Sequence, residues 1–82
     1  MAAQVELNLI GVISPFCLLE FKNALARIQP RQIMEVLIQD PEVAEDLVRI
    51  VERSEDLLIS RKTVGDHFSF RVQRAGARSE PV

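Results

Sequence analysis

The chain has 82 residues, 48% of them hydrophobic and 27% charged, with one Cys, one His, four Phe and neither Trp nor Tyr. This is the composition of a single globular domain, too short for a second core and too apolar for a disordered chain. Ten Lys and Arg against twelve Asp and Glu leave a net charge of −2, which excludes nucleic-acid binding by bulk electrostatics, and no apolar run approaches the about 20 residues of a membrane helix.

The start, "MAAQVELNLIG", lacks the basic opening and long apolar stretch of a secretory signal. One cysteine cannot close an intramolecular disulfide, which fits a reducing compartment, so a cytoplasmic protein is expected. A single Cys with a single His does not complete a zinc site, and neither metal nor cofactor is expected.

Val5, Leu7 and Leu9 alternate with Glu6 and Asn8, the period of a half-buried strand over about 5–9. At Ser14-Pro15 the signals change. A serine hydroxyl accepts from a free amide at a helix start, and proline suits the first helical position because its missing N–H is not needed there. From Pro15 to about Ile28, Cys17, Leu18, Phe21, Ala24, Leu25 and Ile28 recur at steps of three and four, the stripe of an amphipathic helix.

Pro30 ends that helix, and "IMEVLI" (33–38) is short and rich in branched residues, as an interior strand requires. Asp40-Pro41-Glu42 then opens a second helix over about 41–54, with a carboxylate cap, proline at the first position and a further negative charge at the positive end of the dipole. Its buried stripe is Val43, Ala44, Leu47, Ile50 and Val51; Arg49 and Arg53 suit its carboxyl end.

"LLISRKTV" (57–64) and "HFSFRVQR" (67–74) read as two strands joined at Gly65-Asp66, with Phe68, Phe70 and Val72 facing one way and His67, Ser69, Arg71 and Gln73 the other. The domain therefore spans residues 1–74, and "AGARSEPV" (75–82), which has no apolar period, is expected to be a disordered tail. The order βαβαββ is best built as a two-layer α/β sandwich (α+β): a four-stranded mixed sheet with both helices on one face.

Cys17 lies in the first helical turn, where free amides and the dipole lower a thiol's pKa. It also lies on the apolar stripe with Phe21, Ala24 and Ile28, and free cysteine is among the most buried residue types, so a core role is the simpler reading. Ser14 has no companion base to activate it, and helix capping explains it. His67 reads as a solvent-facing strand residue. Arg61, Lys62, Arg71 and Arg74 read as a basic edge, either a guard against strand pairing or a docking patch for a protein partner.

Two families resemble this pattern. "SPFC" (14–17) is similar to the glutaredoxin dithiol motif with its first cysteine replaced by serine, but the Thr-Val-Pro segment, the Gly-Gly pair and the closing helix of that family are missing. The second resemblance is to the TusA/SirA-like sulfur carriers, small βαβαββ proteins with a CPxP motif at the start of the first helix. It covers about residues 7–74 and rests on Leu7, Asn8, Gly11, Val12, Pro15, Lys22, Leu25, Asp40-Pro41 and Gly65-Asp66 in their order and spacing.

The second resemblance implies a sulfur-relay protein without a cofactor that docks to protein partners such as a cysteine desulfurase. It also places the family's persulfide-carrying cysteine at Ser14 and the second motif proline at Cys17. A serine oxygen cannot hold transferable sulfane sulfur. Three readings are open: Cys17 has taken over the chemistry; the chemistry is gone and the fold serves as a binding or regulatory module; or Ser14 stands in for a parental cysteine, giving a two-cysteine CPFC site.

Overall fold

In the computed structural model, which describes residues 5–13 and 15–76, the elements follow the order β1 (Val5–Asn8), α1 (Phe16–Arg27), β2 (Ile33–Ile38), α2 (Pro41–Arg53), β3 (Leu57–Val64) and β4 (His67–Gln73). The strands form one mixed sheet in the order β1-β2-β4-β3, with β1 parallel to β2 and the other neighbours antiparallel. The expected architecture is thus present, with every boundary within two residues of its predicted place. The amino-terminal residues 1–4, Ser14 and its expected capping bond, and positions 77–82 of the expected tail lie outside the described residues.

Burial alternates along β2, so that Met34, Val36 and Ile38 point to one face. Register carries the alternation across the sheet: Met34 lies opposite Val72 and Val36 opposite Phe70. Against this face pack Cys17, Phe21 and Leu25 of α1 and Val43, Ala44, Leu47 and Val51 of α2, all in one core. Fully burying each large apolar side chain contributes about 1.5–3 kcal/mol, so this shared core, not helix propensity, holds both helices down.

α2 begins as its sequence predicts. The Asp40 carboxylate accepts the Glu42 N–H at 2.9 Å, and Pro41 occupies the first turn, where no donor is needed. α1 begins one residue later than predicted: Pro15 sits at the cap position, and its carbonyl accepts from the Leu19 N–H. The Phe16 N–H is turned back to the Ile13 carbonyl at 2.8 Å, so the chain closes a turn before the helix propagates.

His67 and Ser69 depart from expectation. His67 is half-buried and Ser69 is buried, its hydroxyl donating to Glu35 at 2.8 Å. The reason is strand order: β4 lies between β2 and β3, so Ser69 has Leu37 on one side and Lys62 on the other, while Arg71 further along the same face stays exposed.

The turn after α1, Gln29 to Gln32, places Pro30 and then Arg31 at its centre, with Arg31 at φ 69°. That left-handed conformation is unusual for a side chain-bearing residue, and the turn is held by β4: the Arg31 N–H donates to the Arg74 carbonyl at 2.9 Å and Gln73 Nε2 to the Arg31 carbonyl at 2.8 Å. Beyond β4, the Ala75 N–H donates to Asp56 Oδ1 at 2.7 Å, which fixes the start of the segment predicted as a tail.

Candidate functional site

The carboxyl ends of β1 and β2 and the starts of α1 and α2 meet at one end of the molecule, and the β3–β4 hairpin tip reaches the same end because Phe68 pairs with Ile38. The crevice beyond the carboxyl ends of parallel strands is where open α/β sheets bind ligands. Here it is built by the segment Leu9–Pro15 and by Gln39 and Asp40.

The first segment leaves β1 through an Asn8 side-chain bond to the Ile10 N–H and a turn closed by the Val12 N–H on the Leu9 carbonyl. Gly11 occupies the third position of that turn at φ 86°, a left-handed conformation that residues with a Cβ resist. Nothing lies where a Cβ of Gly11 would project, so backbone conformation, and not space, selects glycine.

Cys17 is the second residue of α1 and is 2% exposed. Its thiol donates to the Val12 carbonyl at 2.8 Å, tying the start of α1 back to the segment that follows β1. Burial pushes the thiol above its ordinary pKa, and the charges of Asp40 and Glu20 push it further the same way; only a backbone hydrogen bond opposes them. Burial and the two neighbouring carboxylates thus act against the thiolate form of Cys17. A hollow of about 350 Å³ is lined by Leu9, Gly11, Val12, Ile38, Gln39 and Asp40, with the 2% exposed Cys17 at its wall.

The same turn that buries Cys17 turns apolar side chains outward. Ile13 is 73% exposed, Phe16 57% and Leu19 55%, while Pro15 is exposed beside them. Phe16 and Leu19 are one helical turn apart on α1 and share its outer side. Sequence periodicity marks the inner stripe of α1 and passes over this outer one; the signal that could have found it is the pair of large apolar residues, Phe16 and Leu19, off the stripe.

The four cations predicted to share an edge are not brought together. Arg61 faces the helices, where it bonds Glu45 at 2.7 Å and covers the Phe70 ring at 5.7 Å. Lys62 and Arg71, opposite Ser69 and Glu35 respectively, lie on the other face of the sheet. Arg74 donates to the Ile28 carbonyl at the far end of the molecule, beside a second hollow of about 690 Å³ between the carboxyl ends of the two helices. Among the described residues, no three His, Cys, Asp or Glu side chains converge as a metal site would need, and no helix is long and apolar enough to cross a membrane.

Comparison with known proteins gives a direct result. The family model described as "Sulfurtransferase TusA" matches residues 5–74, which takes in every strand and helix. No curated protein matched the chain.

Proposed function

Because this chain belongs to the TusA sulfurtransferase family, a family of sulfur-relay proteins, we propose that it works in a cytoplasmic sulfur relay by docking to protein partners through the turn around Pro15. In this reading Ser14 stands where the family's cysteine would be, and the chain as written carries no persulfide.

The observation that supports this reading is the state of Cys17. The only thiol in the chain is 2% exposed, hydrogen-bonded to a backbone carbonyl and kept protonated by burial. Sulfur transfer requires a thiolate that can reach a donor, and thiolate fraction and access are both what this environment removes. What remains available at the site is a preformed turn with apolar side chains turned outward. A docking surface of that kind keeps its use when the chemistry at position 14 is gone.

Intact mass after incubation with a cysteine desulfurase and cysteine tests the reading. The expected result is no added sulfur on the chain as written and one added sulfur on Ser14→Cys. A sulfur gained by the chain as written and lost in Cys17→Ala would overturn it and make Cys17 the carrier.

A further inference from the structure

The outward apolar side chains at the site end have a charged border. Ile13, Phe16 and Leu19 are the most exposed large apolar residues in α1 and the turn before it. Glu20 follows directly on the same side of α1, and Asp40 lines the same hollow as Gly11 and Cys17. Both carboxylates are near enough to Cys17 for their charges to act on its thiol. Glu42, whose amide is held by Asp40, extends the acidic border along the first turn of α2.

Within the segments nearest the turn the charge is of one sign, with Lys22 following one helical turn after Leu19. Residues 10–20 and 38–48, which build this end, contain Glu20, Asp40, Glu42, Glu45 and Asp46 and no Lys, Arg or His. Cations from elsewhere reach only two of these: Arg61 pairs with Glu45, and Arg49 with Asp46. Among the described residues, Glu20, Asp40 and Glu42 pair with no cation. Asp66 at the hairpin tip, bonded to Gln39 and facing His67 Nδ1 at 3.4 Å, is a further carboxylate at the same end. An exposed apolar group with a border of uncompensated carboxylates is complementary to one kind of surface and repels its opposite.

We infer that Ile13, Phe16 and Leu19 dock into an apolar recess on a partner protein whose rim is lined with Lys and Arg, with Glu20, Asp40 and Glu42 supplying the opposing charges. The inference deepens the relay reading by stating the chemistry of the partner, and it rests on that reading for its biological meaning. Charge steers the encounter, and the apolar contact, desolvated at the centre, holds the complex.

The test uses the chain as written and two probes, an amphipathic Leu/Lys peptide and its Leu/Glu counterpart of equal length, with binding followed by backbone amide shifts. The Leu/Lys peptide should bind about tenfold more tightly than Leu/Glu, shift amides within 13–20 and 39–42, and weaken as salt is raised. Glu20→Lys combined with Asp40→Asn, which retains the helix-capping oxygen, should abolish the preference for cations. Phe16→Ser with Leu19→Ser should abolish binding of both peptides while the remaining amide spectrum stays that of the folded chain. Equal affinity for the two peptides, or shifts confined to other surfaces, would overturn the inference. Failure of Ser14→Cys to accept sulfur would instead overturn the relay reading and leave the peptide result in place.

Discussion

The molecule contains two junctions of the same kind, each running from the end of a parallel strand into a helix that starts near a proline, and they are built differently. Between β2 and α2 stand only Gln39 and Asp40, and the Asp40 carboxylate caps the helix at 2.9 Å. Between β1 and α1 the chain runs from Leu9 to Pro15 through a turn that needs glycine, buries a thiol against a carbonyl and leaves Ile13 and Phe16 in solvent. A connection optimised for stability would be short, capped and polar outside, as the second one is. The first carries more backbone and more exposed apolar surface than the fold requires, which is the expected signature of a working surface on a rigid scaffold.

That contrast can be broken by mutation. The largest effect is expected at Gly11→Ala, where a left-handed φ of 86° imposes a penalty of about 1–2 kcal/mol on any residue with a Cβ; denaturant unfolding would show it, and an unchanged midpoint would mean the turn rearranges freely. Asp40→Ala should cost about 1 kcal/mol through loss of the cap, with Asp40→Asn restoring most of it. A melting temperature unmoved by Asp40→Ala would show that α2 does not depend on its cap. The smallest effect is expected at Phe16→Ser, within about 0.5 kcal/mol in the same assay because the ring is already in water. A large loss of stability there would show that Phe16 belongs to the core and would remove it from the docking surface.

The ordered elements were legible in the sequence because each is signalled locally. "IMEVLI" is strand Ile33–Ile38 without adjustment, and the Asp40-Pro41 start and the Gly65-Asp66 hairpin stand where residue chemistry puts them. Cys17 on the inner stripe of α1 was legible too, since position along a helix is a matter of period. The hydrogen bond from its thiol to Val12 was not, because it depends on how the turn folds back. Nor was the burial of His67 and Ser69, because period assigns a residue to a face of a strand and cannot say whether that face is covered. The four cations share a hairpin in sequence, yet Arg61 and Lys62 are adjacent residues and so point to opposite faces.

What the sequence by itself determined is therefore the set of elements, their order and the inward side of each helix, since caps, turns and hydrophobic period act over a few residues. The resemblance carried by its motifs also pointed to the family that the match over residues 5–74 establishes. The tertiary structure alone decided the rest. Only the sheet order β1-β2-β4-β3 makes β4 an interior strand, and only the parallel pairing of β1 with β2 brings Leu9–Pro15, Gln39, Asp40 and the hairpin tip to one end. Burying Cys17 while exposing Ile13, Phe16 and Leu19 beside unpaired carboxylates is likewise a product of packing between segments some twenty or more residues apart in the chain, a separation at which no local pattern acts.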